Sequence, residues 1–122
     1  MVTPEASAQL LEQGIRAFGE GSFFLAHEFW EDLWRQTPSS APERRSLQAL
    51  VQIAVALHNL AAGRGDAAHR LLGRALAKLD PAMGPRLGID LGRTRHDTLR
   101  AMASLERAFA DADADADADA YC

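Results

Sequence analysis

Cysteine occurs once in these 122 residues, as Cys122. A lone thiol excludes a disulfide framework within the chain, and sparse cysteine fits a reducing compartment. No basic stretch followed by an apolar run opens the sequence, so no signal peptide is expected and the protein reads as cytoplasmic. Long apolar runs are missing too. The nearest approach, residues 47–62, is broken by Gln48, Gln52, His58 and Asn59, which predicts a buried helix rather than a membrane span. β-branched residues nowhere alternate with polar ones, so no sheet is expected. Phosphate loop, dinucleotide fingerprint and nucleophile elbow are all absent. Neither sign of charge dominates: the net charge is −4, and five of the acids, Asp111, Asp113, Asp115, Asp117 and Asp119, sit near the end of the chain. Without them the chain is close to neutral, which argues against a nucleic acid or a membrane as partner. No cofactor is expected. The partners left are an unknown protein or a small molecule, and a homo-oligomer is compatible with the composition.

What is there belongs to a globular helical protein. Hydrophobic residues make up 48% and charged residues 25% of the chain. The pattern predicts an all-α, single-domain bundle of about five helices over residues 1–110, with a disordered acidic Asp-Ala tail over 111–122. The first helix runs from Pro4 to Gly19, capped by Thr3, with Leu11, Ile15 and Phe18 as its buried face. Gly19 and Gly21 bracket a turn, and Ser22 caps a second helix that ends near Arg35. Residues 37–42 form a loop. A central apolar helix covers 43–62, Gly63-Arg64-Gly65 turns the chain, and a fourth helix from Asp66, its expected cap, reaches Leu79. A Pro- and Gly-containing connection over 80–92 leads to a fifth helix from Arg93 to Ala110. Phe18-x-x-Gly21 and Ala26-His27 align with Leu60-x-x-Gly63 and Ala68-His69 at an offset of 42 residues. Two stacked αα-hairpins explain that weak repeat.

Chemistry concentrates in Phe23-Phe24-Leu25-Ala26-His27-Glu28-Phe29-Trp30-Glu31-Asp32-Leu33-Trp34. On a helical wheel Phe23, Trp30 and Trp34 cluster, so both tryptophans are expected as core anchors against the first and third helices. His27 falls inside the apolar sector, and Glu31 lies one turn on, at its edge. On the central helix His58 shares the apolar face, while Gln48, Gln52 and Asn59 form a separate polar stripe. Two readings follow. In the first, His27 and His58 are core histidines, with Glu31 pairing His27 or an arginine. In the second, His27, Glu28, Glu31, Gln48, Gln52 and His58 line a polar pocket between the second and third helices. Such a pocket suits a binding or scaffold module. It also admits a hydrolase-like enzyme, metal-assisted or acid–base, using His27 with Glu28 or Glu31; no metal site is expected, and His27 and Glu31 are the candidates if there is one. His-Glu-x-x-Glu is neither the zinc-protease nor the di-iron pattern.

The run Phe23-x-x-Ala26-His27-Glu28-x-x-Glu31-x-x-Trp34 resembles the signature of the bacterial and archaeal "domain of unknown function 309" family. Leu47-Gln48-Ala49-Leu50-Val51-Gln52-Ile53-Ala54 followed by His58 resembles its central helix. Gly63 to Ala68 with Leu71-Leu72, and Gly88-Ile89-Asp90 before the last helix, match further motifs over roughly residues 10–92. Asn59 stands where the family pattern often has a second histidine, and Arg64 and Ala67 stand where it often has Asn and Gly. The resemblance implies a compact helical fold and no established activity.

Overall fold

The computed structural model describes residues 3–120, with side chains described through residue 114. Its elements in order are α1 (Pro4–Gly19), α2 (Phe23–Gln36), α3 (Arg44–Ala61), α4 (Gly65–Lys78), a 3-10 turn (Pro81–Met83), α5 (Gly84–Leu87) and α6 (Leu91–Ala120). No strand occurs among the described residues, and none of the helices is long and apolar enough to cross a membrane. The bundle therefore holds six helices rather than five, because the 80–92 connection carries a helical turn of its own.

Helices α1 to α4 stack as two antiparallel hairpins, each neighbour packed on the next, and α6 closes the array against α4. The hairpin turns share one geometry. Gly21 has φ +81° and Gly63 φ +80°, left-handed backbone that favours glycine. In the first turn Ser22 N–H donates to Ala17 O and Gly21 N–H to Phe18 O; in the second Arg64 N–H donates to Asn59 O and Gly63 N–H to Leu60 O. Both are Schellman ends, satisfying carbonyls that the helix would otherwise leave open. The match lies at the offset of the sequence repeat.

Helix starts follow the capping rules in part. Thr3 Oγ1 accepts from Ala6 N–H at 3.1 Å, with Pro4 in the first turn. Asp66 does not cap α4: the helix starts at Gly65, and Asp66 sits inside its first turn, where a carboxylate still opposes the helix dipole. The last helix starts at Leu91 rather than Arg93. Asp90 Oδ1 accepts from Arg93 N–H at 3.0 Å, so the Gly88-Ile89-Asp90 motif ends α5 and caps α6. For 111–122 composition predicts disorder, whereas the backbone continues α6 to Ala120. Alanine is the strongest helix former, and it fills every second position there. Asp111 to residue 114 are exposed, and Tyr121 and Cys122 lie outside the described residues.

The core is rich in alanine. Ala26, Ala49, Ala54, Ala56, Ala68 and Ala75 are wholly buried between Trp30, Leu33, Leu47, Leu50, Leu72 and Leu91. Small residues at helix contacts let the axes approach closely. Against expectation Ile15 is 45% exposed, and the buried positions of α1 are Gly14 and Ala17. The reason is Trp30. Its indole lies across Gly14, so that a Cβ there would fall 2.0 Å from Trp30 Nε1. The same N–H donates to Leu11 O at 3.2 Å, and the ring stacks on Phe18 with centroids 5.6 Å apart. Trp34, the other expected anchor, packs on the core but is only half-buried, with the Arg44 guanidinium 4.2 Å from its ring centroid.

Gly14→Ala should therefore destabilise the domain by about 1–3 kcal/mol, as overpacking does. Trp30→Ala should cost about 3–5 kcal/mol and Trp34→Ala distinctly less. Urea denaturation of the three variants checks the order, and a neutral Gly14→Ala would contradict the Trp30 contact.

Candidate functional site

Locking Trp30 inward sets the phase of α2. At about 100° per residue, Phe24, His27 and Glu31 then fall together on the flank that faces α3. His27 Nε2 and Glu31 Oε2 are 2.5 Å apart, and Arg35 donates to Glu31 Oε1 at 2.6 Å. Glu31 is thus shared by an imidazole and a guanidinium, with its side chain 28% and that of His27 19% exposed. The remaining ring nitrogen, His27 Nδ1, is buried and has no hydrogen-bond partner.

Phe24 completes this seam. Its ring centroid lies 5.2 Å from those of both His27 and His58, so one phenyl ring bridges α2 and α3 between two imidazoles. Phe24 itself is 51% exposed. The six residues proposed from sequence are therefore divided. His27, Glu31 and His58 gather at the α2/α3 seam, half-buried around Phe24. Glu28 is exposed. Gln48 is half-buried. Gln52 turns to the opposite side of α3, where its Oε1 accepts from Lys78 Nζ at 3.0 Å.

That opposite side carries charge. Lys78 has Arg74 one turn earlier on α4, and Arg45 of α3 bonds the carbonyl of the preceding Ala77. Partial burial, reinforced by these two guanidinium groups, holds the Lys78 ammonium below its ordinary value of 10.5. His69 of α4 pairs with Glu106 of α6 at 2.9 Å and meets the edge of Phe109. Among the described residues no three His, Cys, Asp or Glu side chains gather as they would around a metal ion. A cleft of 670 Å³ opens elsewhere, between the start of α1, the end of α2 and α5, with Glu43 and Arg86 at its rim 3.7 Å apart. None of the six sequence-proposed residues lines it.

With this geometry in place, the family can be read. Residues 11–71 match the model of a family described as domain of unknown function (DUF309), half of the chain. The chain belongs to the DUF309 family. No curated protein and no solved structure matches it. The DUF309 span contains α2 and α3 entire, and with them the Phe24–His27–His58 seam. Arg74, Lys78, α5 and α6 lie beyond it. Sequence reasoning missed Phe24, because exposure of an aromatic cannot be read from a wheel already full of aromatics. It also missed Arg74 and Lys78, whose i, i+4 spacing was visible on α4.

Two measurements follow. Glu31→Gln and His27→Gln each weaken a charge-assisted contact between half-buried side chains, and each should destabilise the DUF309 domain by about 1–3 kcal/mol in thermal or chemical denaturation near neutral pH; melting at or above wild type would rule out the structural role of the pair. For Lys78, the unfolded chain binds the proton more tightly than the folded one between the lowered value and 10.5. Stability should rise with pH through that interval, and denaturation at a series of alkaline pH values should show that contribution lost in Lys78→Met.

Proposed function

We propose that this DUF309 protein is a non-catalytic binding module that takes its partner at the outer seam between α2 and α3. The observation that carries the reading is Phe24: an aromatic ring half in solvent, already held in place between His27 and His58. A rigid exposed aromatic loses little side-chain freedom on contact, which is why such residues anchor interfaces and ligand sites. Imidazole edges beside it supply hydrogen bonds that orient a bound group. The partner is a small molecule or a protein segment that offers an apolar or aromatic group flanked by polar atoms. The single cysteine suits a reducing compartment, and on that ground we place the protein in the cytoplasm.

An acid–base enzyme is the second reading, favoured by the short His27–Glu31 contact, which resembles the way a carboxylate orients a catalytic imidazole. The geometry supports it less well. The nitrogen left over for chemistry, Nδ1, is buried, and Glu28 is solvent-exposed on the neighbouring flank.

A small-fragment screen read by amide chemical shifts tests the proposal. Binders should perturb residues 24–31 and 51–58, and Phe24→Ala should abolish those shifts while changing stability by no more than roughly 0.5–1 kcal/mol. Fragments that bind only elsewhere, or a His27-dependent hydrolysis of ester or phosphoester substrates, would overturn it.

A further inference from the structure

The other flank of α3 tells a separate story. Arg45 donates from its guanidinium to Ala77 O of α4 at 3.4 Å, and Lys78 donates to Gln52 at 3.0 Å. These two cross-links set Arg45 and Lys78 on the same α3/α4 seam, Arg45 against the residue that precedes Lys78. Arg74 lies one helical turn from Lys78 on the same face of α4. Among the described residues, none of the three forms a salt bridge, although acids outnumber bases in the chain 17 to 13. Elsewhere Arg16, Arg35, Arg86 and Arg93 each pair with a carboxylate, and Arg44 lies over the Trp34 ring.

Cations near a helix C-terminus have an ordinary explanation, the helix dipole. It does not cover this case. The C-terminal end of α4 presents about half a negative charge, and a single cation balances that. Three lie along this seam, and the nearby carboxylate of Asp80 caps the 3-10 turn at Ala82, so a positive excess remains. Partial burial first, and then repulsion from Arg45 and Arg74, disfavour the charge on Lys78. Like charges held near one another by hydrogen bonds to an amide and a carbonyl suit an anion, which all of them can approach.

We propose that the α3/α4 seam at Arg45, Arg74 and Lys78 is a binding site for a phosphate-type oxyanion, with Gln52 holding the lysine in place. Two guanidinium groups match the planar edge of a phosphate, and the ammonium adds a third charge-assisted donor. The anion neutralises repulsion that the folded chain otherwise sustains, so its binding stabilises the fold. The site lies across α3 from the Phe24 seam and stands independently of the reading given to that seam.

Amide chemical-shift titration of the full chain with inorganic phosphate, at ionic strength held constant with sodium chloride, tests this. Saturable shifts are expected at residues 45–52 and 74–79. Arg45→Gln and Lys78→Gln should each weaken binding by about tenfold, the loss of one charge-assisted contact. Glycerol phosphate in a second arm separates the sources: equal binding assigns the site to a phosphate monoester, and binding of inorganic phosphate alone assigns it to the free anion. Phosphate also favours folded states generally by exclusion from protein surfaces, so the thermal shift is compared with Arg74→Gln/Lys78→Gln. That double variant should be folded and at least as stable as wild type without phosphate, and should lose the added phosphate-dependent increment. Non-saturating shifts that chloride reproduces, or an increment unchanged in the double variant, would overturn the proposal.

Discussion

The contact between Trp30 and Gly14 sets the geometry on which the rest of the domain depends. A helix can present many faces to its neighbour, and the choice is made where the largest side chain finds room. Here the indole lies flat on a position with no Cβ, while its N–H bonds to the carbonyl of Leu11. Sliding or rotating α2 on α1 would break that hydrogen bond and drive the ring into backbone. The phase of α2 is fixed in consequence. Leu33 and Ala26 go inward with Trp30, and the Phe24, His27, Glu31 and Arg35 flank is left at the seam with α3. The proposed binding surface is thus a by-product of a packing decision made on the other side of the same helix.

Much of this was legible in the chain. Gly21 and Gly63 marked turns that need left-handed backbone, Thr3 marked a helix start, and the repeat at a 42-residue offset corresponded to two hairpins with the same Schellman ends. What the wheel could not give was the partner of each face. Ile15 belongs to an apolar stripe as good as that of Ala17, yet it is exposed, because the close approach over Gly14 rotates the contact line by one position. A polar stripe on an otherwise apolar helix calls for polar partners, and on that ground Gln52 is expected in one pocket with His27. Their directions differ once α2 and α4 stand on opposite sides of α3, and the amide of Gln52 answers to Lys78. Single-helix periodicity ranks residues by face. It does not say which neighbour that face will meet.

Helix α3 borders both candidate surfaces. Its buried positions are mostly alanine, leucine and isoleucine, so its neighbours pack close and their rims carry the longer side chains. The two rims differ in kind. Toward α2 the side chains are aromatic and imidazole, with one carboxylate shared between His27 and Arg35. Toward α4 they are cationic and amide, with no carboxylate bridging them among the described residues. Close packing of small residues thus gives one helix two chemically different edges, and a ligand at either edge would bear on the same helix.

That shared helix constrains how the two edges can communicate. α3 is very largely buried, and its core positions Ala49, Ala54 and Ala56 have no exposed surface. Interiors packed at this density do not deform continuously, so a ligand at one seam cannot bend α3 to suit itself. It can shift only what already has freedom: the ring of half-exposed Phe24 on one side, the long stems of Arg74 and Lys78 on the other. Any coupling between the seams would then be carried by the charge and order of those side chains, not by movement of the helix between them.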